Sequence, residues 1–303
     1  MATSLEANGV VVYDLDQLLN YEKPSLMRKM IDFIWIPFLN LLPKRLGFNL
    51  VKMSSHDAKV VQKYATSFRA LEVMYNYNSN NNIDFFREKG LRKFCTIIWQ
   101  NTHNAQAVRN RLKLVTRELE KSILHAGSNN VGIFSLAAGS ARAVFAVINK
   151  FKSAFPEIRI EAVLLDKHAD ALDFSRGIAI RYNLLNQFTY IIDNVKNLKK
   201  YKYKYRTDVV EMVGLLDYFD RQNAMELFKS IYDFLEPGNF FITGNIKKNS
   251  EEAFIKKSIG WEGMIYRSES DLLELFINAG FKKDKIKIYI EPQNIHMIAV
   301  AYK

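Results

Sequence analysis

From about residue 130 the chain alternates short apolar runs with amphipathic stretches, and this alternation restricts the fold more than any other feature. Val131–Leu136, Ile160–Leu165, Phe188–Ile192, Asp208–Val213 and Phe240–Thr243 are each bounded by turn residues. That pattern suits strands buried on both faces of a parallel sheet. Between them, Ala141–Lys152, Ala169–Tyr182 and Asn223–Leu235 carry apolar residues at helical spacing. Strand–helix alternation demands right-handed crossovers, and so predicts a doubly wound α/β sheet covered on both sides. Ser270–Ala279 reads as a last helix stopped by Gly280. Ile286–Ile290 and Ile295–Ala301 then read as a hairpin around Glu291-Pro292-Gln293-Asn294.

The first part of the chain has a different period. Ser25–Leu42, Ser54–Tyr75, Ile83–Thr102 and Asn104–His125 show three- and four-residue apolar spacing, and the Tyr75–Asn82 patch between them reads as an exposed loop. Residues 1–125 are therefore expected to form a helical cap and residues 126–303 the sheet domain. With 303 residues, 49% hydrophobic and 25% charged, the chain has material for a full core, which excludes disorder and disulfide scaffolds. Cys95 is the sole cysteine, and the five histidines fall at no ligand spacing, so no metal site is expected. Met1–Gly9 lacks the features of a secretory signal, and Met30–Leu42 is interrupted by Asp32, Pro37 and Asn40. A cytoplasmic protein is the resulting expectation. The net charge of +11 favours anionic partners. It is concentrated at Lys23–Arg69, with nine basic residues against two acids, and at Lys196–Arg206, with six and none.

In an open parallel sheet, ligands bind at the carboxyl ends of the strands. There the chain places Ser135-Leu136-Ala137-Ala138-Gly139-Ser140-Ala141, whose small residues let a ligand approach the backbone. Asp166-Lys167 ends the second run, in position to receive ribose hydroxyls. Asp193-Asn194 ends the third and suits an adenine amine, and Glu211-Met212-Val213-Gly214 ends the fourth. Singly, each has a plainer reading as a packing turn or a helix cap. Together they point to a cofactor containing a nucleoside.

The order of these pieces, with Leu235-Glu236-Pro237-Gly238 before the fifth run and Ala279-Gly280-Phe281 before the hairpin, resembles the class I S-adenosylmethionine-dependent methyltransferases. Trp99-Gln100-Asn101-Thr102 and Ala107-Val108-Arg109-Asn110-Arg111 are similar to a bacterial subgroup with a helical N-terminal extension. The resemblance implies a Rossmann-like, mostly parallel seven-stranded sheet with an antiparallel last strand, plus an all-α N-terminal domain. It also implies S-adenosyl-L-methionine held by Ser135, Ala137, Ala138, Gly139, Asp166, Lys167, Asp193, Asn194, Glu211 and Met212. One departure stands out: Ser135 occupies the place of the family's first-strand acid, and Ala137 and Ala141 replace glycines. Since that acid holds the methionine ammonium, another group must do so here, or cofactor binding is weakened.

Methyl transfer from a sulfonium is an in-line displacement that needs alignment and exclusion of water, and a base only when the acceptor must lose a proton. No Asn/Asp-Pro-Pro-Tyr or Pro-Cys follows the fourth run, which argues against base methylation. The remaining candidates are Asp217, Tyr218 and Tyr266 for catalysis, and Trp261, Tyr266 and Arg267 for the acceptor. Trp261 reads equally as core and Arg267 as a surface residue at a helix start. Arg109 and Arg111 either reach the cofactor carboxylate or are solvated. Met27–Phe48, with Phe33, Trp35 and Phe38 flanked by Arg28, Lys29, Lys44 and Arg45, reads as a bundle helix in preference to an interfacial membrane helix or an acyl tunnel. The expected activity is O- or N-methylation of a small-molecule or lipid-like acceptor. The alternatives are an RNA methyltransferase, with both basic runs on one face, and a non-catalytic relative.

Overall fold

Nine strands form one sheet in the computed structural model, which describes residues 4–7, 10–23, 26–77 and 89–303. They are β1 (Ser4–Ala7), β2 (Val11–Asp14), β3 (Asn130–Leu136), β4 (Arg159–Asp166), β5 (Phe188–Ile192), β6 (Val209–Met212), β7 (Phe240–Ile246), β8 (Ile286–Ile290) and β9 (His296–Tyr302). Their order is β1-β2-β8-β9-β7-β6-β3-β4-β5. The strands β3 to β7 run parallel, and β9 is antiparallel to both β7 and β8. The central strand β3 has β4 on one side and β6 on the other, so the strand order reverses there and a crevice opens beyond its carboxyl end.

Side chains on alternate positions of β3 enter opposite layers. Phe134 and Leu136 pack under α9 (Arg221–Phe234) and α10 (Glu269–Ala279), and Val131 and Ile133 under α6 (His103–His125), α7 (Arg142–Ala154) and α8 (Ala169–Arg181). Ser268 and Asp271 form a capping box at the start of α10, and Gly280, at φ 117°, ends it.

Among the described residues five α-helices precede α6 and are here called the cap: α1 (Leu26–Leu41), α2 (Lys44–Ser54), α3 (His56–Lys63), α4 (Phe68–Tyr75) and α5 (Gly90–Gln100); a helical segment at residues 252–259, after β7, packs against α2. Two expectations need correction. The N-terminal part is not all-α, because β1 and β2 extend the seven strands of the sheet domain to nine, with β2 parallel to β8. The single helix expected over Ser54–Tyr75 is also broken twice. Ser55 is extended and caps α3, its Oγ accepting from the Ala58 amide at 3.2 Å, and Thr66 is left-handed at φ 66° before α4. Asn78–Asn82 of the expected loop and Ile83–Glu88 of the expected helix lie outside the described residues, as do Ser25 and the side chains of Met27, Arg28 and Trp35.

The bundle reading of α1 holds for Ile36, which is buried, but Phe33, Ile34 and Leu41 face solvent. No helix among the described residues is long and apolar enough to cross a membrane.

Candidate functional site

The tips of β3, β4 and β5 meet through the backbone and one carboxylate. Asp166, the last residue of β4, accepts the Gly139 amide on Oδ2 and the His168 amide on Oδ1, both at 2.9 Å. Its carbonyl accepts the Asp193 amide at 3.2 Å, and Ala138 donates to the Leu165 carbonyl at 3.1 Å. Three alternate residues of the first loop, Ala137, Gly139 and Ala141, have φ between 49° and 54°. Glycine adopts that conformation freely and alanine at a cost, so the loop keeps a glycine-type path through two alanines.

Beside this loop a cleft of about 800 Å³ opens, within the range of small-molecule sites. Of the residues expected from sequence, Ala137, Ala138, Gly139, Asp166, Lys167, Asn194, Glu211, Asp217, Tyr218 and Trp261 line it. Five do not. Ser135 is fully buried behind Glu211, and Met212 is core. The Asp193 carboxylate turns into its own turn, accepting from Asn194, Asn197 and Tyr201, which holds it down to about 2. Tyr266 packs with Ala107, Met264 and Ile295. Arg267 is buried and donates to the Leu216 and Phe219 carbonyls and to Asn245 Oδ1, so it clamps the loop after β6 instead of meeting an acceptor.

At the crossing of β3 and β6, Ser135 pairs in register with Glu211, and its hydroxyl donates to Glu211 Oε2 at 2.6 Å. Burial pushes the Glu211 carboxyl up to about 7, against the pull of the Ser135 hydroxyl, the Val213 amide and the nearby Arg111. Asp217 is likewise raised by burial, while its Oδ1 accepts the Ile246 amide at 2.8 Å and ties β7 to the loop after β6. The Tyr218 hydroxyl accepts the Trp261 indole N–H at 2.6 Å, and burial raises it to about 12.

Two further residues line the cleft: Arg111, which the sequence left between the cofactor carboxylate and solvent, and His296, which it did not single out. Arg111, on α6, is buried. It donates to the Tyr75 hydroxyl at 3.2 Å, and its Nε has no partner among the described residues. His296 opens β9 opposite Ile246, and burial together with Arg111 holds it well below its usual value, so its ring is neutral. An arginine on a long polar helix and a lone histidine at a strand start carry no local signal. Arg109, two residues away, is by contrast spent on Glu22 and the Gln100 carbonyl.

The cap and the segment after β7 close the other wall, where Val61, Leu71, Met74 and Trp99 of the one and Ile255 and Ile259 of the other make an apolar chamber. The cap is joined to the sheet domain by Arg142, which pairs with Glu72 on α4, and by Phe68, whose Cβ lies 3.2 Å from where a side chain on Gly139 would begin. Farther off, Asp32, His103 and Glu251 gather. Glu251 there caps α6 by accepting the His103 and Asn104 amides, and His103 sits between Asp32 and Gln293.

No family model matches the chain, and no curated relative matches it. Among solved structures it is similar to a protein of Bordetella parapertussis described as a candidate exported protein, at 17% identity over 78% of this chain and 82% of that one, TM-score 0.60. It is also similar to a candidate O-methyltransferase of Nostoc punctiforme (16%, 88% and 71%, TM-score 0.50). A third is the magnesium protoporphyrin IX methyltransferase of Synechocystis (12%, 77% and 99%, TM-score 0.51). The fold is that of the class I S-adenosylmethionine-dependent methyltransferases.

Proposed function

We propose that the chain transfers the methyl group of S-adenosylmethionine to an acidic oxygen, a phenol or carboxyl, of an apolar small molecule. The observation that carries this reading is the continuity of the cleft: small-residue loop and Asp166 at one end, apolar chamber with Arg111 and His296 at the other. The residues fit the cofactor. Asp166 has acceptor capacity left on both oxygens for ribose hydroxyls, and the Ala137–Gly139 backbone admits a close ligand. Bound there, the cofactor supplies an activated methyl group.

The chain's own residues do the rest. His296, neutral and lining the cleft, takes the proton of a phenolic acceptor. The unpartnered Nε of Arg111 receives the acceptor oxyanion, as a charge-assisted hydrogen bond in a water-poor site. Val61, Met74 and Trp99 exclude water around it. Tyr218, held by Trp261, is a wall and not a base, because its hydroxyl ionises only near 12.

The RNA reading has less support, because the Lys196–Arg206 run is largely spent internally. Arg206 is bidentate on Asp208, Lys200 faces Asp193, and Lys202 faces Glu236. Incubation with methyl-labelled S-adenosylmethionine and a panel of apolar phenols, carboxylic acids, amines and RNA tests the reading. Label in phenols or acids is expected, with His296→Asn lowering kcat on a phenol about 100-fold. Label only in RNA, or no cofactor binding at all, would sink it.

A further inference from the structure

Ser135 and Glu211 face each other across the β3–β6 ladder, and one carboxylate occupies the space in front of both. Ser135 is fully buried and does not reach the cleft, whereas Glu211 lines it. A second acid at position 135 would put two carboxyls within hydrogen-bond distance in a buried site, where like-charge repulsion lets only one of them ionise. The two positions are therefore alternatives, and a short hydroxyl is what an acid at 211 requires of its neighbour. Glu211 is also left under-compensated. It is buried, one hydroxyl and one amide donate to it, and the nearby guanidinium of Arg111 is directed to Tyr75. A buried carboxylate open to a cleft on one side is built for a cation.

We propose that Glu211, from the strand beside β3, holds the ammonium of the cofactor's amino-acid end, with Ser135 as the positioning residue that orients its carboxylate. The proposal rests on the methyltransferase reading above and adds the residue on which the methionine end depends. It resolves the missing first-strand acid: the charge has moved one strand sideways, 76 positions along the chain.

Calorimetry on the full chain separates the two ideas. Wild type is titrated with S-adenosylmethionine and with 5′-methylthioadenosine, which keeps the nucleoside and lacks the amino-acid end. Failure of the wild type to bind either ligand overturns the methyltransferase reading itself. If it binds, Glu211→Gln is expected to weaken S-adenosylmethionine about 30-fold and leave 5′-methylthioadenosine within about twofold. Glu211→Asp, which keeps the charge, is expected to stay within about fivefold of wild type for both. Unchanged S-adenosylmethionine affinity in Glu211→Gln overturns the assignment. So does an equal loss for both ligands, since that is the signature of a merely structural role.

Discussion

In the sheet, β3 buries every residue but Asn130 and β7 buries all seven, whereas in the cap α1 leaves Phe33, Ile34 and Leu41 between 67% and 84% exposed. The first region is held by interdigitated aromatic and aliphatic side chains in two continuous layers. The second has its own apolar cluster, shared with Val108 of α6 and with Phe254 and Ile259, and polar pairs such as Arg142 to Glu72 and Arg69 to Asp170 tie it to the first. Packing free energy scales with buried apolar area, so the Gly139–Asp166 end of the cleft stands on a rigid base and the Val61–Trp99 end under a looser lid. That division suits the proposed activity, in which one cofactor is always the same and the acceptor must enter and leave.

The largest expected effect tests the contrast directly. Phe134 is fully buried and touches the rings of Tyr201, Tyr205 and Phe234, so Phe134→Ala should cost about 4 kcal/mol in denaturant unfolding. Phe33→Ala should cost less than about 0.5 kcal/mol. Comparable losses at the two sites would erase the distinction between base and lid.

Next comes a pH effect confined to the sheet end. Glu211 is raised to about 7 because its charged form is buried, with Ser135 on β3 and Arg111 on α6 facing it. Protonated in both folded and unfolded chains at low pH, it costs nothing there; at high pH the fold carries the full penalty of the buried charge. Stability from this group is therefore lost as pH rises from the ordinary carboxylate range through 7, by about 3 kcal/mol in all. The wild-type minus Glu211→Gln difference in unfolding free energy, measured from pH 4.5 to 8, should fall by that amount. A flat difference would mean that the carboxylate is better solvated than its burial implies.

A third test loosens the lid alone. Glu72 is buried and receives the Arg142 guanidinium on both oxygens, so Glu72→Gln removes a charge-assisted pair worth about 2 kcal/mol. Amide exchange should quicken in α3 and α4 while β3, β4 and β7 keep their protection. Faster exchange in those strands as well would show the two regions to be one cooperative unit.

The same division governs what the amino-acid sequence revealed. Strands buried on both faces are continuous apolar runs, so β3, β4, β5, β6, β8 and β9 fall within a residue or two of expectation, and β7 starts where expected but runs three residues longer. The strands β1 and β2 are only four residues long, and β2 finds its partner in β8, where Val11 pairs with Ile288; no local pattern records such a pairing. At the site, the contact of Gly139 with Asp166 was legible because both follow strands. His296 was not, and for Arg111 the choice between cleft and solvent stayed open, because only packing of α6 against β9 turns them inward. The missing acid at Ser135 was legible as an absence, and the proposed replacement at Glu211 rests on the β3–β6 register.

The smallest effect lies where base and lid touch. Ala137 and Gly139 share a left-handed backbone, at φ 51° and 54°. An alanine there carries the Cβ–carbonyl crowding that glycine avoids, but it also restricts the unfolded chain, and the two effects partly cancel. Ala137→Gly should therefore stabilise the protein by about 0.5 kcal/mol. Gly139→Ala should destabilise it by about 1.5 kcal/mol, because it adds the same crowding and also brings a Cβ to 3.2 Å from Phe68 of the cap. Thermal unfolding of the two single variants gives the sign of each. If Ala137→Gly proves destabilising by as much as Gly139→Ala, the loop is set by its contacts with the sheet and not by its backbone conformation, and the cap has no hold on it.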